Sequence, residues 1–194
     1  MTTPELLTTF DATLTHAAKV VSGVDANQRS GPTPCVAWGV ETLLDHMVAT
    51  LRAATAYVNG ATPAVDPLEP VPVVGADPAA TFAAAAAETL AAFAAPGALD
   101  RQVAAPPGTM PGAVFLHFPL LDMWAHSWDL AVATGQPVDF DPDISTYVLG
   151  FCQQAFASNR PPVAVIGPEV PVADTAPVIE RLVGFLGREP RWTP

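Results

Sequence analysis

Apolar residues recur at helical spacing along most of the chain, and four long stretches stand out. In the first, about Pro4 to Val21, Leu6, Leu7, Phe10, Leu14 and Ala17 follow one face, and Pro4 sits in the first turn, where a missing N–H is tolerated. The second, roughly Val40 to Val58, carries the stripe Leu43, Leu44, Met47, Val48 and Leu51 and closes at Gly60. The third runs from about Pro78 to Ala95. Asp77 is placed to cap it, Pro96-Gly97 ends it, and its alanine-rich face allows close helix packing. The fourth spans Pro111 to Thr134 and is capped by Gly135. Pro119 lies inside it and cannot donate to residue 115, which predicts a kink there.

The stretch from Ala61 to Val74 holds Pro63, Pro67, Pro70 and Pro72, so it reads as an extended connector that crosses or wraps the bundle. Ser30 to Cys35 is turn-rich. Pro142 to Ala157 and Ala176 to Leu186 predict two shorter helices, and Pro161 to Val172 alternates weakly, as an extended, strand-like strip. There is no internal repeat and no inter-domain linker. The pattern predicts one all-α domain over residues 1–194: a four-helix bundle with a long crossover and a C-terminal elaboration of short helices.

Composition narrows the function classes. With 194 residues and half of them apolar, the chain can bury a real core and is not a disordered polymer. A net charge of −11 argues against nucleic acid, which needs clustered Lys and Arg, and against anionic membranes; it favours cations. Two cysteines, Cys35 and Cys152, make neither a disulfide framework nor a thiolate metal cage. The segment Met1 to Lys19 lacks the apolar run of a signal peptide, and no run approaches transmembrane length. A cytoplasmic protein is expected.

The candidate chemistry lies in the fourth stretch. Asp122 and His126 are four residues apart, so a helix puts both on one face. That spacing alone is weak, but Leu120, Leu121, Met123, Trp124, Trp128 and Leu130 surround it, which makes the helix apolar nearly all round and therefore central. His46 stands on the margin of the second stripe. Facing helices build metal sites by projecting such side chains inward, and His46, Asp122 and His126 form a three-ligand set with an open position. Zinc fits best; nickel or iron would also suit these donors. An i,i+4 ion pair or a hydrogen-bonded interior trio explains the same residues without a metal. Asp129 borders the stripe, either as a carboxylate that orients a ligand or as a surface residue. His117 is about half a turn out of phase with His126 and is excluded. His16 and Cys35 read as packing or surface residues.

Three separated motifs carry a family resemblance. Thr33-Pro34-Cys35-Val36-Ala37-Trp38 with Leu43-Leu44-Asp45-His46 is the first, and His126-Ser127-Trp128-Asp129-Leu130-Ala131 with Thr134-Gly135-Gln136 the second. The third is Arg181-Leu182-Val183-Gly184-Phe185-Leu186-Gly187-Arg188-Glu189-Pro190-Arg191-Trp192. Together they resemble the actinobacterial metal-binding proteins related to the N-terminal domain of mycothiol-dependent maleylpyruvate isomerase, in the DinB/YfiT-like superfamily. The resemblance implies a DinB-like four-helix bundle with a zinc-type site from one His of the second helix and an acid-x-x-x-His pair of the fourth, at His46, Asp122 and His126. The isomerase commonly has Glu where this chain has Asp122. The shorter side chain implies a metal closer to the fourth helix or more weakly bound. The isomerase also carries a C-terminal domain that helps form its active site. This chain is expected to end without it, which points away from maleylpyruvate isomerisation itself.

The residues leave three readings open. One is a metal-dependent transferase or isomerase that uses mycothiol or another low-molecular-weight thiol on a small-molecule substrate. Another is a non-catalytic metal- or small-molecule-binding module. The third is a structural domain whose polar trio is simply hydrogen-bonded. Analogy with related bundles suggests a homodimer.

Overall fold

In the computed structural model, which describes residues 2–156, 160 and 166–194, the chain is mostly helical with one small two-stranded sheet. The first helix, α1 (Thr3–Ser22), starts at a capping box in which the Thr2 backbone N–H donates to the Glu5 carboxylate at 2.6 Å. Leu6, Phe10, Leu14 and Ala17 are buried along one face, as their spacing predicts. Helix α2 (Val40–Val58) and helix α3 (Pro78–Ala94) follow, and Asp77 caps α3 by accepting from the Ala80 N–H at 2.9 Å.

The fourth predicted helix departs from expectation at its start. Residues 102–111 form a hairpin, β1 (Gln102–Ala105) and β2 (Gly108–Pro111), paired antiparallel with Ala105 opposite Gly108. Gly108 closes the turn after Pro106-Pro107 with φ of 126°, open only to glycine. A short helix α4 (Gly112–Phe115) and then α5 (His117–Ala133) come next. The break falls at Leu116, so Pro119 lies in the first turn of α5, where no intrahelical donor is required. The proline therefore begins a helix instead of kinking one. Gly112 makes the junction fit: a Cβ there would lie 2.1 Å from the Ala98 carbonyl oxygen.

Helix α5 runs through the middle, with Pro119 to Leu121 and Met123 to Ala131 all buried. It packs on α1 and α2, which both also pack on α3. Helix α6 (Pro142–Ala155) covers its other side, tied by the Trp124 indole N–H donating to the Ser145 hydroxyl at 3.1 Å. Helix α7 (Val178–Phe185) packs on α6. The strand-like strip expected over Pro161–Val172 lies partly outside the described residues. Its remainder, 166–172, forms no strand and instead follows the end of α7, with Gly167 and Val170 N–H groups donating to the Leu186 and Gly184 carbonyls. The last residue of the helix expected at Pro142–Ala157 also lies outside the described residues.

The proline-rich connector between α2 and α3 forms neither helix nor strand; it bends through turns, with the Glu69 N–H donating to the Asp66 carbonyl, and is held from below. The buried Asp45 carboxylate accepts the Val73 and Val74 N–H groups at 2.6 and 3.0 Å. Arg29, paired with Glu41, donates to the Gly75 carbonyl at 2.9 Å. Among the described residues, no helix, sheet or turn bond satisfies the Val73 and Val74 N–H groups otherwise. Asp45→Ala is therefore expected to lower stability by about 1–3 kcal/mol, by stranding the buried Val74 donor. Urea denaturation checks this, and unchanged far-ultraviolet circular dichroism confirms that the helices persist.

Candidate metal centre

Thr33 begins the local structure that walls the site. Its hydroxyl donates to the Trp38 carbonyl at 2.7 Å and closes residues 33–38 into a turn just before α2. The turn lays the Trp38 ring on His46, with centroids 4.0 Å apart and planes inclined by 29°. His46 itself is buried, not marginal on its helix as its position in the stripe suggested. The connector crosses over it, and the His46 Nδ1–H donates to the Pro67 carbonyl at 2.8 Å. That bond turns Nε2 inward toward α5.

On α5, the expected i,i+4 pair forms. Asp122 Oδ2 lies 3.1 Å from His46 Nε2 and 3.8 Å from His126 Nε2. His126 Nδ1–H donates to Asp129 Oδ2 at 2.8 Å, so its Nε2 also faces inward. One turn of helix thus supplies both a centre residue and the carboxylate that orients it. Asp129 is fully buried and is gripped at both oxygens by the Arg188 guanidinium, at 3.2 and 3.0 Å. Arg188 is itself 4% exposed and donates to the Leu186 carbonyl. The motif at the C-terminal end of the chain therefore reaches the centre through Asp129.

The electrostatics follow from this packing. Burial opposes the charge of His46, but Asp122 outweighs it and holds the imidazole above its ordinary pKa. Burial likewise opposes ionisation of Asp122, and the two histidines overcome it, keeping the carboxylate below the usual range. Burial dominates at His126 and pushes it down, toward the neutral ring. Asp129 is held below the usual range because Arg188 and His126 overcome its burial.

Whether a dication fits can be tested on the donors. The ligand atoms of His46, Asp122 and His126 all lie within 4.8 Å of one another. A tetrahedral ion with bonds of about 2.0–2.1 Å needs neighbouring ligands about 3.3 Å apart, between the two carboxylate distances above. Among the described residues, the buried Asp122 Oδ1 has no hydrogen-bond partner, a cost that an ion bound through that oxygen would remove. Both rings have the outer hydrogen bond that metal-ligating histidines usually carry. A second cluster, Cys35 with His126 and Asp129, is equally close but poorer. Burial pushes the Cys35 thiol up to about 11, and Asp129 is already committed to Arg188 and His126.

The excluded histidines lie elsewhere. His117 meets the Tyr147 hydroxyl of α6, and His16 packs between Trp124 and Phe140. Sequence patterns did not single out Pro67, Trp38 or Arg188 for the site. Arg188 stood inside a recognised motif, but its contact with Asp129 spans 59 residues and leaves no trace in local periodicity.

Two imidazoles and a carboxylate, converging from two packed helices, define the class: a mostly helical domain with a histidine–carboxylate centre. Residues 10–131, well over half of the chain, match the mycothiol maleylpyruvate isomerase N-terminal domain, and the chain belongs to that family. Uncharacterised proteins from two strains of Mycobacterium tuberculosis are each 35% identical to it over 90% of this chain and 92% of their own length. Among solved structures, mycothiol-dependent maleylpyruvate isomerase shares the fold, with a TM-score of 0.62 at 16% identity, covering 78% of this chain and 68% of the isomerase. A point variant of that isomerase gives a TM-score of 0.64 at the same identity and coverage.

Removing one partner of a buried ion pair leaves the other charged and unsolvated. Arg188→Met is expected to destabilise the fold by about 3–5 kcal/mol. Adding Asp129→Asn should return part of that loss, because the stranded charge is gone. A double-mutant cycle by chemical denaturation measures both; additive losses would mean that the pair is not coupled.

Proposed function

We propose that this protein is a metal-dependent, thiol-using transferase or isomerase acting on a small molecule, with His46, Asp122 and His126 holding a zinc-type dication. The observation that carries the reading is the Asp122 carboxylate, whose Oδ2 lies 3.1 and 3.8 Å from the His46 and His126 Nε2 atoms and whose buried Oδ1 has no partner among the described residues. We read α1, α2, α3 and α5 as a DinB-like four-helix bundle, supported by the packing of α1 and α2 on both α3 and α5. Family membership supports mycothiol, or a thiol like it, as the cosubstrate.

A dication bound here would lower the pKa of a coordinated thiol and keep it as the nucleophilic thiolate. The chain's own residues set the frame. Pro67 and Asp129 fix the two rings, so that both Nε2 lone pairs point to one place. Asp122 supplies the negative charge there, and Trp38 covers His46 from one side. Burial pushes the thiols of the chain up, Cys35 to about 11 and Cys152 to about 12, which disfavours a thiolate at either. We therefore assign the reacting thiol to a cosubstrate, as family membership supports.

A binding module without turnover is the second reading. It is favoured by the cavity beside the centre, whose described lining offers only Asp66 and Tyr57 to move a proton besides His46 and Asp122 of the centre itself.

Metal analysis decides first. The protein is expected to take up about one equivalent of zinc per chain, and His46→Ala and His126→Ala to lose most of it. A chain that stays metal-free after incubation with zinc, nickel and iron would sink the proposal. Turnover with mycothiol and electrophiles, before and after His126→Ala, separates enzyme from binding module.

Metal affinity should also depend on pH, with a definite sign. Asp122 holds His46 above its ordinary value of about 6.5, and a proton there competes with the ion. Affinity is expected to rise with pH, to level off only above that raised value, and to fall steadily below it. Zinc titrations from pH 5.5 to 8.5 measure the trend; a flat profile would mean that His46 does not exchange its proton for the ion.

A further inference from the structure

A cavity of about 220 Å³ opens beside the centre, between α2, α5, the connector and the hairpin turn. His46 and Asp122 of the centre are part of its lining. Its walls are apolar: Tyr57, Phe115 and Phe118 on the helices, Pro106 and Pro107 of the hairpin turn, and Leu68 of the connector. For scale, an apolar cavity of about 150 Å³ holds a benzene ring. The space suits one ring or a short branched chain.

The charges around it all have one sign or are already matched. Among the described residues, no lysine or arginine lines the cavity. Two carboxylates line it, Asp122 of the centre and the exposed Asp66. Any positive charge on His46 faces Asp122 at 3.1 Å. A dication at the trio would be balanced by Asp122 and one thiolate, with nothing left for a further anion. The whole chain adds a net charge of −11, which repels anions at long range. A carboxylate pressed against these walls would be desolvated with no cation to meet it, only the Thr50 and Tyr57 hydroxyls.

We infer that this cavity takes an uncharged small molecule with an apolar body of about one ring, and that it rejects dicarboxylates. The inference rests on reading the adjacent centre as the reaction site, but the preference itself can be measured without turnover.

Methyl benzoate with benzoate, and dimethyl succinate with succinate, are matched pairs that differ in charge. Each is titrated into the full chain by ligand-observed NMR, first zinc-free, then zinc-loaded with 2-mercaptoethanol present to take the open position. Each ester is expected to bind on the order of tenfold more tightly than its acid. Leu68→Arg, an exposed change on the lining, should narrow the ratio by favouring succinate. Equal binding of ester and acid, no binding of either ester, or a ratio that Leu68→Arg leaves unchanged would overturn the inference. Metal content measured on the same samples keeps the two readings apart. A chain that takes no zinc yet prefers the esters overturns the metal proposal alone, and a zinc-loaded chain that prefers succinate overturns this inference alone.

Discussion

A carboxylate with no exposure at all, Asp129, ties the centre to the far end of the chain. It is ionised in the interior because Arg188 grips both of its oxygens and His126 donates to one of them. A buried charge is tolerable only with such partners. The consequence is that three parts of the sequence become interdependent: the helix that bears His126, the segment after α7 that bears Arg188, and the turn around Cys35, whose sulfur lies within 4.8 Å of ligand atoms of His126 and Asp129. The segment at residues 184–188 is placed to do this by Gly187, whose φ of 88° and 2.6 Å virtual Cβ approach to Gly167 leave no room for a side chain.

The same logic of burial explains how the centre stays polar inside an apolar helix. Asp122, His126 and Asp129 occupy successive turns of α5, among Trp124, Trp128 and Leu130. Each finds a partner off the helix or within one turn, with a single exception at Asp122 Oδ1. The connector contributes as much as the helices. Asp45 anchors Val73 and Val74, and the connector places Pro67 over His46. A loop dictated by prolines thereby fixes the tautomer and direction of an imidazole.

Much of the architecture was legible from periodicity. The long helices lie where the apolar stripes predict, and Asp77 caps α3 as a residue of its type should. The hairpin at 102–111 was not legible, because four-residue strands interrupted by Pro106-Pro107 show too little alternation to separate from a loop. Pro119 was misplaced for a related reason. Reading residues 111–134 as one helix put the proline in its interior, whereas the break at Leu116 puts it in a first turn. Backbone geometry at Gly112, set by contact with Ala98, decided between them.

For the centre, the chain's own order determined the residue types and their local phase: Asp122, His126 and Asp129 share a helix face at any tertiary arrangement, because the α-helical repeat requires it. Their partners were decided elsewhere. His46 could be proposed as a facing residue, but its Pro67 bond, its Trp38 cover and the grip of Arg188 on Asp129 join residues tens of positions apart. Such contacts depend on how the helices pack and where the connector crosses. Packing is a property of the closed core, and local sequence carries only its periodic half.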